Sequence, residues 1–286
     1  MKKLLLGLSC FLLIISLFAC TDSVPKNSDE NYAPNTTNDK LFESTSTPFS
    51  EVACETIAKP VTIDFSQDVD LVFEYGDFEI SVYDGYAVIS KYSGNDVVLD
   101  IPTEINGYQV IAIGSAAFYY CDTLENITLH IGVTSINNAA FWNCSSLKSI
   151  SIPDGVSFIG DSAFEGCASL TSVTIPGSVT SIGKAAFYKC TSLESIIIHN
   201  GITTIGNSAF MTCPSLTYVE IPNSVTTIET WAFAGCESLK DIEIPNSVVS
   251  IAKSAFDYCP SIKVKCLSGS YAEQYAKENN ILCITY

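Results

Sequence analysis

The side chains of this sequence that could do chemistry are its cysteines, two histidines and a small set of carboxylates. Seven of the twelve cysteines, Cys121, Cys144, Cys167, Cys190, Cys213, Cys236 and Cys259, recur every 23 residues. Metal sites favour cysteines paired at short spacing, such as Cys-x-x-Cys, and the sequence has no such pair. Equivalent positions in a stack carry parallel side-chain vectors about 4.8 Å apart, whereas a disulfide needs converging vectors and a specific torsion. The seven therefore read as small buried hydrophobes. Cys266 and Cys283 lie out of that phase and are the one pair that a bridge could join, while Cys54 stands alone.

His130 and His199 both fall where other copies carry Pro, three periods apart. At one strand spacing per period they are about 15 Å apart, too far to share a metal or form a dyad, so they read as surface substitutions. Glu220 and Glu243 occupy equivalent positions in adjacent copies, with Asp241 close by. A separation of about 5 Å is that of a retaining glycosidase pair, but a stack gives that spacing to any two equivalent residues. The three carboxylates read as a solvated acidic strip or a contact surface that seeks lysines. No phosphate loop, nucleophile elbow, zinc helix motif or calcium loop is present. The sequence therefore predicts no enzyme, no metal and no cofactor.

The period that discounts these clusters also defines the elements that carry them. Phe118, Phe141, Phe164, Phe187, Phe210, Phe233 and Phe256 recur every 23 residues, each preceded by Ala and followed three residues later by its cysteine. A Leu three residues beyond opens Leu-x-x-Ile-x-Ile, whose alternation predicts one short parallel strand per copy. Pro at 153, 176, 222 and 245 ends the strand, because Pro has no N–H to continue a ladder. An Ile-Gly step then turns the chain, and Ala-Phe-x-x-Cys predicts a short helical or 3₁₀ turn. Self-similarity at this period marks a solenoid, in which each coil buries its apolar side only against its neighbours.

Seven repeats are expected over 113–265. Before them, 61–112 carries strand-like alternation, as in Phe78-Ile80-Val82, and reads as an N-terminal β cap. After them, 266–286 reads as a closing cap, with a helix starting at Ser270. The outward positions of the predicted strands form the best binding row, on the face expected to be concave: Lys148, Ser151, Thr174, Glu194, Ile197, Tyr218, Glu220, Lys240, Asp241 and Glu243. A plain soluble face is the alternative. On the other side Tyr119, Tyr120, Trp142, Tyr188, Met211, Trp231 and Tyr258 offer an aromatic rim, of a kind enriched at interfaces and sugar sites, and partial burial against the helical turns explains them equally well.

The N-terminus reads as a targeting segment. Lys2 and Lys3 precede an apolar run, and Leu17-Phe18-Ala19-Cys20 resembles a bacterial lipobox. That implies a signal peptide over 1–19, cleavage before Cys20 and acylation of Cys20, against the alternative of an uncleaved anchor. The polar stretch 20–60 reads as a disordered tether, with a mean reach of about 35 Å for a coil of about 40 residues. The formal charge is −17, and all 14 basic residues are lysines. Such a chain is repelled by phosphate backbones and anionic lipid surfaces, which excludes nucleic acid as a partner.

The unit Ile-Gly-x-x-Ala-Phe-x-x-Cys-x-Ser-Leu-x-x-Ile-x-Ile-Pro resembles the BspA-like class of bacterial leucine-rich repeats. Gly85 to Gly114 resembles that class's N-terminal flank, and Ser270-Tyr271-Ala272 with Tyr275-Ala276 and Asn279 resembles its C-terminal end. The resemblance implies a leucine-rich-repeat solenoid on the outside of the cell, and the lipobox implies that an acyl anchor alone holds it to the bilayer. It implies a protein partner, such as a host matrix protein or another surface protein, and adhesion as the role. Glycan recognition or surface scaffolding through the aromatic rim is the alternative. No catalytic residues come with the class.

Overall fold

The 23-residue period becomes one turn of a β-solenoid in the structure, a computed structural model that describes residues 67–286. The expected signal peptide, Cys20 and the tether lie outside the described residues, as does the start of the expected N-terminal cap.

The predicted strands are present and pair in parallel, in step with the repeat. Ser172–Ile175, Ser195–Ile198 and Tyr218–Glu220 form one run of this primary ladder, with Val173, Ile196 and Val219 side by side. Their alternation works as the sequence predicts: Val173 and Ile175 are buried while Ser172 and Thr174 face solvent. Behind each strand the Pro carbonyl closes a tight turn, as where Val179 N donates to Pro176 O at 3.0 Å. His130 takes over that role from Pro, its carbonyl accepting from Val133 N at 3.0 Å. His199 adds a bond that Pro cannot make, its N–H donating to Ile175 O at 3.0 Å.

Each coil also carries a second strand, only two residues long, at the residues before the Ile-Gly turn. Ser135–Ile136, Phe158–Ile159 and Ser181–Ile182 pair in parallel, and Thr204–Ile205, Thr227–Ile228 and Ser250–Ile251 continue the series. Coil backbones come very close at the adjoining turn. A Cβ on Gly183 would lie 2.4 Å from the Gly160 carbonyl carbon and from Asp161 N, so this position needs glycine.

The Ala-Phe-x-x-Cys segment folds as consecutive hydrogen-bonded turns. Bonds within the coil, such as Cys167 N to Phe164 O at 3.2 Å, alternate with bonds to the next coil, such as Phe164 N to Ala186 O at 2.7 Å. The alternation requires left-handed backbone twice per coil, for example at Ala185 (φ 56°) and Lys189 (φ 59°). That conformation costs a non-glycine residue about 1–2 kcal/mol. The amides of both residues donate to the next coil, Ala185 N to Asn207 O at 2.9 Å and Lys189 N to Met211 O at 3.0 Å, which offsets the strain.

The interior is an aromatic spine. From Phe118 to Phe256 consecutive rings stack at 5.0–5.5 Å between centroids and within 14° of parallel. Tyr92 and then Phe78 extend it at one end, each step 5.2 Å, and Tyr275 tilts against Phe256 at 6.2 Å at the other. These flanking rings lie out of the 23-residue phase.

Upstream of the coils, β1 (Leu71–Tyr75), β2 (Phe78–Tyr83) and β3 (Tyr86–Tyr92) form an antiparallel meander. β3 then pairs in parallel with Tyr108–Ile113, which in turn pairs with Ser135–Ile136 at the start of the two-residue ladder. Val98–Asp100 already pairs with Asn126–Thr128, so the primary ladder begins within the segment expected to cap it. Downstream, α1 (Tyr271–Glu278) starts where Ser270 Oγ accepts from Glu273 N, as its position predicts. Lys263–Cys266 and Leu282–Thr285 close the primary ladder in parallel. Among the described residues no helix is long and apolar enough to cross a membrane.

Candidate functional site

The fold brings the sequence-predicted binding row onto one exposed face. Ser151, Thr174, Ile197, Glu220 and Glu243 form one file along the primary ladder, with Ile197 paired to Glu220. Tyr218 and Asp241 belong to the neighbouring file, and Lys148, Glu194 and Lys240 lie one residue ahead of their strands, at its rim. All are exposed except Ile197, which is half-buried. The alternation of each strand enforces this, since its other face is committed to the core.

The acidic strip is not bare. Tyr218 Oη lies 3.4 Å from Glu220 Oε2, Tyr286 Oη donates to Glu243 Oε1 at 3.0 Å, and Lys265 Nζ lies 3.7 Å from Asp241 Oδ1. The carboxylates raise both tyrosine hydroxyls above their ordinary range, by charge first at Tyr218 and by the hydrogen bond first at Tyr286. Lys263 and Lys265 therefore bound the strip on one side, next to Asp241 and Glu243 in the ladder register. Neither these lysines nor Tyr286 stood out in the sequence. The Lys-x-Lys alternation of the last coil, read in register with Asp-x-Glu, is the signal that carries them. At the other end of the row Lys148 Nζ lies 2.7 Å from Glu125 Oε2.

Six of the seven ladder cysteines, Cys144 to Cys259, are buried as the sequence predicts, whereas Cys121 is only half-buried and its hydrogen bond with Cys144 lowers its thiol below the ordinary range. The nine described cysteines are free thiols. From Cys144 to Cys259 each ladder thiol donates to the carbonyl of a Phe in the preceding coil, such as Cys190 Sγ to Phe164 O at 3.2 Å. Burial pushes Cys167 and Cys213 up to about 12, which keeps them protonated and poor as nucleophiles or ligands. Burial also lowers His130, opposed by the Pro102 backbone carbonyl, so it stays neutral near pH 7. No group of three metal-ligating side chains occurs among the described residues. On the turn side, Tyr119, Tyr120 and Trp142 touch, with centroids 4.6–5.1 Å apart, and both tyrosines are about half exposed. Tyr188 carries Lys189 Nζ 4.9 Å above its ring, and Trp231 and Tyr258 are exposed singly.

Comparison with known proteins agrees with the coil geometry. The BspA type leucine rich repeat region matches in six copies, over residues 111–236 and 203–277. The chain belongs to this family. Its members are non-enzymatic repeat scaffolds of a kind that binds protein partners. The crystal structure of a leucine rich repeat protein from T. pallidum is 26% identical, with 74% of this chain and 97% of that chain covered at a TM-score of 0.58. A leucine-rich repeat protein from Bacteroides ovatus is 25% identical, covering 78% and 68% at a TM-score of 0.43. A leucine rich cell surface protein from Faecalibacterium prausnitzii is 23% identical, covering 73% and 98% at 0.38. The last two scores are too low to bear on geometry. No curated protein matches the chain.

Proposed function

We propose that this BspA-type repeat chain is a binding module displayed outside the cell, anchored by acylated Cys20, and that it holds a protein partner on the exposed face of its primary ladder. The observation that carries this reading is the file Thr174, Ile197 and Glu220, paired in register, with Ser151 and Glu243 at the equivalent positions of the adjoining coils. It presents hydroxyls, one apolar side chain and then carboxylates on a rigid surface, with no cavity needed. A stretch of extended side chains at one strand spacing suits a protein surface better than a small molecule, which binds in concave pockets. The acidic half selects lysine- or arginine-bearing partners and speeds their encounter. Elements 61–112 and 266–286 serve as caps, closing the two apolar ends of the array.

A second reading rests on the Tyr119, Tyr120 and Trp142 cluster. Contacting rings with exposed faces form a platform on which sugar rings can stack, so the turn side would then recognise a glycan.

Immobilised extracellular matrix proteins and surface polysaccharides, probed with the full chain, separate the two readings. Binding to proteins that survives Trp142→Ala supports the ladder face; binding to polysaccharides alone, lost in Trp142→Ala, supports the aromatic platform. For the anchor, Cys20→Ser is expected to move the chain from the membrane fraction to unprocessed or soluble forms. Unchanged membrane retention of a normally processed chain contradicts acylation.

A further inference from the structure

Two cysteines break the pattern of the primary ladder where it ends. Along its buried face the strands present Ile, Val or Leu at both inward positions, as at Val219 and Ile221 or Ile242 and Ile244. In the last two strands a thiol enters each of those files. Cys283 pairs with Val264, and Cys266 stands one step beyond Ile242 and Val264, in the file of Ile244. Packing alone does not account for this, because Ile or Val would bury more apolar surface than Cys at either place.

The two sulfurs are in contact, 3.3 Å apart. The ladder thiols from Cys144 to Cys259 differ, since each faces a Phe carbonyl in the coil before it. An S–S bond of about 2.05 Å needs a closure of only about 1.2 Å. Cys266 is buried and Cys283 half-buried, so an incoming reagent meets Cys283 first. The 17-residue separation encloses α1, and Leu282–Thr285 is the terminal strand of its sheet, paired on one side only. Repeat arrays fray from such ends, because an end strand has a single neighbour.

We infer that Cys266 and Cys283 form a dithiol site for thiol–disulfide exchange, which closes into a disulfide that latches the last strand and α1 onto the array. The co-reactant is a disulfide, small or protein-borne. The Cys283 thiolate attacks it, forming a mixed disulfide and releasing one thiolate. The Cys266 thiolate then displaces the second. The chain loses two electrons and two protons and gains one S–S bond, and the co-reactant is reduced to two thiols. Burial first, then the Cys266 contact and the Glu273 carboxylate, against a lowering by the Lys277 ammonium, push the Cys283 thiol up to about 11. Exchange is accordingly slower than for an exposed thiol. The site stands independently of which ligand the ladder face binds.

The test is incubation of the full chain with oxidised glutathione, followed by alkylation of remaining thiols and peptide mapping without reduction. A Cys266–Cys283 linked peptide is expected. Amide exchange over Leu282–Thr285 should slow by about two orders of magnitude, the size that closing a loop of about 15 residues carries. Cys283→Val restores the residue type of the upstream strands, so it should fold and show no such response. Both thiols recovered alkylated from the folded, glutathione-treated chain would overturn the inference. So would an equal slowing of exchange in Cys283→Val.

Discussion

At the level of single residues, the molecule rests on side chains that repeat rather than on any one that reacts. Each Phe of the spine fills the space between two coils and stacks on rings about 5 Å to either side, with no exposed surface from Phe118 to Phe233. Phe187→Ala is expected to cost about 3–5 kcal/mol, because it leaves a cavity that rigid neighbouring coils cannot close. Denaturant unfolding measures it, and a loss below about 1 kcal/mol contradicts a packed spine. The spine and the cysteine ladder were both legible in the sequence, since one period places seven identical residues in phase. Its extensions, Phe78, Tyr92 and Tyr275, were not, because they come from elements outside the period and reach the spine only through tertiary packing. The thiol partners were also hidden: burial follows from the pattern, but donation to the Phe carbonyl of the preceding coil depends on the left-handed turns.

At the level of elements, the primary strands were readable from Leu-x-x-Ile-x-Ile and its Pro stop. The second ladder was not, because two residues carry no alternation to detect. Its presence explains the Ile-Gly step, where adjacent backbones approach too closely for a Cβ at Gly183. The approach is looser at Gly206, where a Cβ would meet Ile182 O at 3.0 Å. Gly183→Ala is therefore expected to cost about 2 kcal/mol through backbone displacement, and Gly206→Ala clearly less. Thermal or denaturant midpoints of the two variants check the order, and equal effects would show that the coils give way freely. The register of the last strands supplied what the sequence reading lacked at the candidate face. It sets Lys263 and Lys265 beside Asp241 and Glu243, and places Tyr286 against Glu243.

At the level of the whole molecule, a net charge of −17 with no arginine, a family of non-enzymatic repeat scaffolds and an exposed, rigid ladder face describe a chain that works by contact. On that face Glu194, Glu220, Asp241 and Glu243 outnumber the neighbouring Lys240, Lys263 and Lys265 by one charge, so long-range attraction of a basic partner falls with salt. The measurement that tests this most directly compares the native chain with the triple variant Glu220→Lys, Asp241→Lys, Glu243→Lys for binding to an immobilised protein partner across a range of ionic strength. Affinity is predicted to fall at least about tenfold in the variant, with loss of the salt dependence of association. Equal affinity and equal salt dependence in both chains would contradict binding through the ladder face.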